Sequence, residues 1–252
     1  MSQDNVKNEV VGAGGVAGAG GAGTVEHTDR GPLEKTEMAQ IVARDIPDHS
    51  FVNLGIGQPT LVADYLDADS GVTLHTENGM LGMGPAAKDD EVDEELINAG
   101  KIPVTELPGA SFFHHADSFA MMRGGHLDVC VLGAFQVSGG GDLANWSTGA
   151  PDAIPAVGGA MDLAIGAKDV LVMMTLFSKD GKPKLVPECT YPLTGTGCVS
   201  RVYTDRAIFD LTDDGVVVLE TFGMSFDELQ EALDIELKLS LIHISERAGK
   251  AD

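Results

Sequence analysis

Leu74-His75-Thr76-Glu77-Asn78-Gly79-Met80-Leu81-Gly82-Met83-Gly84-Pro85 begins on the last residue of the short apolar run Val72-Thr73-Leu74. A single carboxylate therefore stands at the end of a run with strand propensity and directly before an Asn-Gly pair. Asn-Gly tolerates the positive φ angles of tight turns, so the chain must reverse just beyond Glu77. A side chain held on a sharp turn at the carboxyl end of a strand is where α/β sheets present their ligand-binding groups. The stretch thus predicts an α/β fold with Glu77 displayed at its working edge, and the placement suits a nucleophile.

Working outward, short apolar runs alternate with helical periodicity. Residues 34–44 predict a helix, 51–54 a buried strand, 55–59 a loop and 60–66 a second helix. Residues 72–75 predict the strand that delivers Glu77. Further on, helix 118–123 precedes strand 129–132, and helix 160–166 precedes strand 170–174. This alternation predicts an open, mostly parallel sheet with helices on both faces. Past Cys198, runs 199–204, 207–211 and 216–221 are broken by Thr204-Asp205 and Asp213-Asp214-Gly215, and predict antiparallel strands at one edge. Ser225 followed by Glu228 has the spacing of a capping box at a final helix.

Three segments are expected along the chain. Residues 1–31, rich in Gly, Ala and Val with scattered charge, have neither period nor bulk and predict a disordered tail. Residues 32–231 are expected to form the α/β domain that carries Glu77. Residues 232–252 are an atypical C-terminal tail whose stretch 237–244 is unusually apolar for an end, either a divergent terminus or a sequence scar.

Of the 252 residues, 39 are acidic and 16 basic, giving a net charge of -23. A surface this acidic repels nucleic acid and anionic membranes, so neither is an expected partner. The acids are dispersed along the chain, a pattern suited to high salt, where counterions screen self-repulsion. Cys130, Cys189 and Cys198 are odd in number and lack metal-site spacing; Cys130, inside Asp128-Val129-Cys130-Val131-Leu132, is expected to be a core thiol. No apolar run reaches the roughly 18–20 residues of a membrane span, and the N-terminus lacks a basic signal-peptide start, so a cytoplasmic location is expected.

The Glu77 stretch closely resembles the active-site signature of the type I (3-oxoacid) CoA-transferases, specifically their β subunits. The resemblance continues collinearly from about Glu34 to Asp227. It is carried by Val52-Asn53-Leu54-Gly55-Ile56-Gly57-Gln58-Pro59-Thr60, by Asp117-Ser118-Phe119-Ala120-Met121-Met122-Arg123-Gly124-Gly125-His126 and by Gly133-Ala134-Phe135-Gln136-Val137-Ser138. Gly141-Asp142-Leu143-Ala144-Asn145-Trp146, Gly158-Gly159-Ala160-Met161-Asp162-Leu163 and Cys189-Thr190-Tyr191-Pro192-Leu193-Thr194-Gly195 extend it.

The resemblance implies ping-pong transfer of CoA between an acyl-CoA, such as succinyl-CoA or acetyl-CoA, and a 3-oxo or short-chain acid. Glu77 would carry CoA as a thioester, with coenzyme A a substrate and no permanently bound cofactor or metal. Asn78 and Gly79 would fix the turn, while Gly55, Gly57, Gly158 and Gly159 would supply oxyanion donors. Asn53, Gln136 and Asn145, with Trp146, would line the pocket. The family implies a hetero-oligomer with a separate α subunit. Basic groups for the CoA phosphates are scarce, with Lys179, Lys182 and Lys184 the local cluster. Two departures stand out. Thr76 replaces the usual Ser and keeps its hydroxyl, whereas Thr175-Leu176-Phe177 lacks a polar Glu-His pair that many relatives carry, which bears on acid specificity.

Competing readings are a sugar-phosphate isomerase or deaminase on a related scaffold, which would use Glu77 without acylating it, and a non-catalytic regulatory homologue. The adjacent pair His114-His115 does not share a helix face and lacks further ligands. The acidic run 89–95 reads as a solvated helix start, and Met80, Met83, Met121 and Met122 as core packing.

Overall fold

The computed structural model describes residues 26–28, 31–149 and 158–240. Its elements are β1 (Glu26–Thr28), α1 (Lys35–Asp45), β2 (Phe51–Leu54), a 3-10 helix (Gln58–Tyr65), β3 (Thr73–Thr76), β4 (Met80–Ala86) and β5 (Val104–Phe112). There follow α2 (His115–Arg123), β6 (Val129–Leu132), β7 (Gln136–Ser138), β8 (Leu143–Ala144), α3 (Ala160–Gly166) and β9 (Asp169–Met173). The chain continues through β10 (Leu185–Val186), β11 (Arg201–Tyr203), β12 (Ala207–Thr212), β13 (Gly215–Phe222), α4 (Phe226–Ala232) and β14 (Leu237–Leu239).

Five parallel strands, β11-β9-β6-β2-β3, form the centre of an 11-stranded sheet. In β6 and β9 the sequences Val129-Cys130-Val131-Leu132 and Val170-Leu171-Val172-Met173 are continuous apolar runs because each strand is covered on both faces. The period of two then sorts neighbours to opposite cores. Val129, Val131, Leu171 and Met173 pack with α1 and the 3-10 helix through Met38, Ala39, Val42 and Val62. Cys130, Leu132, Val170 and Val172 pack on the other face with Met122, Leu163 and Leu229 of α2, α3 and α4. The expected capping box forms at Ser225 with Glu228, and another forms at Glu34 with Glu37.

Strand and helix positions agree with the sequence expectation to within a few residues. The 60–66 helix is instead a 3-10 segment starting at Gln58, with Pro59 in its first turn, where the fixed φ suits helix entry. The acidic run expected at a helix start forms a single 3-10 turn, Asp89–Glu91. The sheet has antiparallel additions on both sides. β12 and β13 extend one side as expected, and the β4–β5 hairpin extends the other beyond β3. A separate sheet, β10-β7-β8, lies apart from the main one.

The expectation for residues 1–25 and 29–30 lies outside the described residues, but Glu26–Thr28 pair in parallel with Glu220–Phe222 of β13. The stretch 237–239 pairs with Val216–Val218 of the same strand, and Leu233 and Leu237 join the core. Two short strands thus lie along one edge of β13 and protect it, a common way to blunt a sheet edge. The apolar character of the C-terminal segment as far as Leu239 follows from that burial; residues 241–252 lie outside the described residues. Among the described residues no helix is long and apolar enough to cross a membrane.

Candidate active site

In strand order β9-β6-β2-β3 the chain runs from β2 outward to β3, then returns to β6 and runs outward the other way to β9. The reversal opens a crevice beyond the carboxyl ends of β2 and β6, the position at which open α/β sheets bind ligands. A cavity of about 380 Å³ occupies it. Gly55 follows β2, Glu77 follows β3, Gly133 follows β6 and Met174-Thr175 follow β9, and all line this cavity with Gly159 at the start of α3.

Glu77 occupies the turn of the β3–β4 hairpin. Gly79 N–H donates to Thr76 O at 3.1 Å, and Gly79 O accepts from Phe113 N–H at 2.9 Å. Gly79 has φ +113°, and a Cβ there would stand 2.1 Å from Phe113 O, so only glycine closes this turn. Asn78 Nδ2 donates to Ile97 O at 2.8 Å, and His115 Nδ1 lies 3.1 Å from the Glu77 carbonyl. The Glu77 main chain is therefore held from three directions while its carboxylate points into the cavity.

Burial raises the pKa of Glu77, and nearby Asp162 adds to the rise. The Gly159 backbone amide, facing the carboxylate, and the charge of His115 act the other way, favouring the ionised form. The approach of Gly159 is close: a Cβ on it would lie 2.5 Å from Glu77 Oε2. Glycine at 159 is thus a steric requirement of this carboxylate's position.

Behind the turn lies a polar network that sequence reasoning did not single out. Asn53 Nδ2 donates to His75 Nδ1 at 3.1 Å and to His75 O at 3.2 Å. Ser118 Oγ lies 2.9 Å from His75 Nε2 and donates to Thr76 O at 2.9 Å. All four residues are buried. The proton inventory closes with a neutral imidazole that accepts at Nδ1 and donates at Nε2, and burial holds the His75 pKa down at about 4. The network joins β2, β3 and α2 one residue before Glu77. Its sequence signal was a polar residue, His75, at an inward strand position.

The structure separates the other expected residues. Gly158 and Asn145 line the cavity, Asn145 with its amide engaged by Thr194 Oγ1 at 2.6 Å and Gly133 O at 3.1 Å. Gly57 has φ +94° and closes the entry to the 3-10 helix through Thr60, whose hydroxyl donates to its carbonyl at 2.7 Å. Gly55 lines the cavity, but its N–H donates to Val131 O at 2.8 Å and is spent in the sheet, so it offers no oxyanion donor.

Asn53 lies beneath the main cavity, beside a smaller one that also touches Glu77, and holds His75. Gln136 does not line the main cavity; its Oε1 accepts from Thr190 N–H and Tyr191 N–H and anchors that loop. Trp146 Nε1 donates to Leu193 O at 3.0 Å. Of the three clustered lysines only Lys184 lines the cavity. Cys130 is fully buried and its thiol pKa is pushed far up; Cys189 and Cys198 are raised to about 11, so none is a reactive thiolate near neutral pH.

A coenzyme A transferase family model matches residues 35–221. The chain is 63% identical over 206 residues to one of the subunits of the 3-oxoadipate CoA-transferase of Pseudomonas putida, covering 81% of this chain and 96% of that protein. It is 44% identical over 200 residues to a subunit of the succinyl-CoA:3-ketoacid coenzyme A transferase of Helicobacter pylori, covering 79% of this chain and 96% of the relative. Among solved structures, the acyl-CoA transferase apoenzyme of Escherichia coli O157:H7 superposes with a TM-score of 0.64 at 19% identity. That match covers 83% of this chain but 42% of the longer protein, and it bears on the fold alone.

Proposed function

The chain belongs to the coenzyme A transferase family and is the β-type subunit of a CoA-transferase, and we propose that it moves CoA from succinyl-CoA to a 3-oxo acid through a thioester on Glu77. The observation that carries this reading is the Glu77 carboxylate itself, partly desolvated on a rigid turn and packed against the Gly159 backbone in a cavity at the strand ends. The name of the Pseudomonas putida relative makes 3-oxoadipate the first acceptor to test. That of the Helicobacter pylori relative makes an unspecified 3-ketoacid the second.

The chemistry proceeds by covalent catalysis. A Glu77 oxygen attacks the thioester carbonyl of the acyl-CoA, and collapse of the tetrahedral intermediate expels CoA thiolate, leaving an acyl-glutamyl anhydride. The thiolate then attacks Glu77 Cδ and expels the first acid as its carboxylate, leaving the glutamyl-CoA thioester. A second carboxylate reverses both steps. Each step exchanges a C–O for a C–S bond or the reverse, and no net proton or electron is moved. Desolvation makes the Glu77 carboxylate a better nucleophile than one in water. When Cδ is attacked, the oxygen facing Gly159 N–H becomes the oxyanion, and a donor already aimed at that atom stabilises it without reorganisation.

A complementary α-type partner would complete the enzyme and supply cations for the CoA phosphates. The complex would work in the cytoplasm at elevated salt, the condition that the net charge of -23 favours. The test is intact-mass measurement of this chain, co-purified with its partner, after incubation with succinyl-CoA. The expected result is a mass gain of one CoA less water. The adduct should be absent in Glu77→Gln, which preserves shape and folding. A thioester that persists in Glu77→Gln, or forms on another residue, would overturn the assignment.

A further inference from the structure

The cavity at the strand ends carries one acidic side chain, Glu77, and one basic side chain, Lys184, among the described residues that line it. The apolar part of the wall includes Leu132, Ala134, Phe135, Met173 and Met174.

The root of the Lys184 side chain is fixed. Its N–H donates to Leu176 O at 2.8 Å and its carbonyl accepts from Val137 N–H at 2.9 Å, just before β10. Its ammonium has no ion-pair partner within 4.0 Å among the described residues. The charge of Asp205 is felt at Lys184, but Asp205 Oδ1 accepts from Leu176 N–H at 2.8 Å and Oδ2 lies 3.6 Å from Arg206 Nε. Burial lowers the Lys184 pKa. A half-buried lysine with no counter-ion among the described residues is costly, and its position on a ligand cavity supplies the compensation when an anion enters.

We propose that Lys184 is a specificity-determining residue that receives the distal, non-reacting carboxylate of a short dicarboxylic substrate whose other carboxyl group reacts at Glu77. The inference rests on the Glu77 reading and adds the residue that recognises the second carboxylate of acids such as succinate and 3-oxoadipate. A monocarboxylic acid of similar length leaves the ammonium unpaired. Pairing with the distal carboxylate is the same in ground and transition states, so its loss raises KM and leaves kcat nearly unchanged.

In a ping-pong reaction the acceptor's kcat/KM reports only the half-reaction that the acceptor enters. The experiment therefore measures this constant for 3-oxoadipate and for acetoacetate with the two-subunit complex. Lys184→Met keeps the length of the side chain and removes its charge. It should lower kcat/KM for 3-oxoadipate by roughly 10- to 100-fold through KM, the range of a charged hydrogen bond, and leave acetoacetate nearly unaffected. Lys184→Arg restores the charge and should retain the dicarboxylate preference, which separates recognition from folding. An unchanged ratio of the two acceptors in Lys184→Met overturns the proposal, whether both constants hold or both fall together. A wild-type complex that forms no Glu77 thioester overturns the transferase mechanism instead, so the two failures are told apart.

Discussion

Replacing Gly159 by Ala separates the position of the Glu77 carboxylate, the proposed nucleophile, from the stability of the fold. The backbone at 159 has φ -88° and ψ 2°, a conformation open to alanine. The new methyl would stand 2.5 Å from Glu77 Oε2 and 2.7 Å from Cδ. Ordinary contact begins near 3.4 Å, so the carboxylate must retreat by roughly 0.9 Å. The atoms in the way belong to the far end of a flexible side chain facing a cavity, and the retreat costs little folding energy. Alanine is a poorer helix N-cap than glycine by about 0.5–1 kcal/mol. The lower entropy of its unfolded chain offsets about 0.4–1 kcal/mol of that. The melting temperature should therefore hardly move.

Activity responds differently. A misplacement of about 1 Å at a reacting atom costs on the order of 100-fold, and Gly159 N–H no longer meets the oxygen on which negative charge develops. The assay is the rate of glutamyl-CoA formation followed by intact mass, beside a thermal melt of the same complex. Gly159→Ala turning over within a few-fold of wild type would refute the reasoning. A large loss of melting temperature would refute the claim that Glu77 alone absorbs the clash.

Three further outcomes are expected. Ser118→Ala leaves the His75 Nε2 donor and the Thr76 carbonyl without their shared hydroxyl; it should cost about 1–3 kcal/mol in denaturant unfolding and slow thioester formation, because Thr76 precedes the nucleophile. Burial raises the Glu77 pKa, so its contribution to stability is fully present below the unfolded value and is lost as pH rises through the folded one. Glu77→Gln should accordingly melt above wild type near about pH 8, with the gap closing toward about pH 4, and a gap that widens in acid would contradict the shift. With a net charge of -23, the melting temperature should rise with KCl as the Debye length shrinks from about 30 Å at 0.01 M to about 3 Å at 1 M; greatest stability in dilute buffer would remove the high-salt reading.

Much of the architecture was written locally. Apolar runs such as Val129-Cys130-Val131-Leu132 predict strands covered on both faces, and the structure divides these residues between two cores. Glu77 before Asn78-Gly79 was legible because a strand end and a positive-φ turn are properties of neighbours in the chain. The β4–β5 hairpin was not, since Gly82, Gly84 and Pro85 break its alternation and most of β5 is exposed. The strands at 26–28 and 237–239 were hidden too, because a three-residue strand is specified by the edge it meets rather than by its own sequence.

Only the tertiary structure could decide which glycine serves the carboxylate. Gly55 and Gly159 look alike as glycines near apolar runs, yet one amide is consumed by Val131 and the other reaches Glu77 across 82 residues of chain. Likewise Lys179, Lys182 and Lys184 form one basic cluster in sequence, and only the last reaches the cavity. The sequence by itself determined the central strands and helices and the turn that displays Glu77, because periodicity and turn chemistry are local. Which amide, hydroxyl and ammonium meet that residue was decided by the order of the strands, because hydrogen bonds and charge act over a few ångströms in space and are indifferent to separation along the chain.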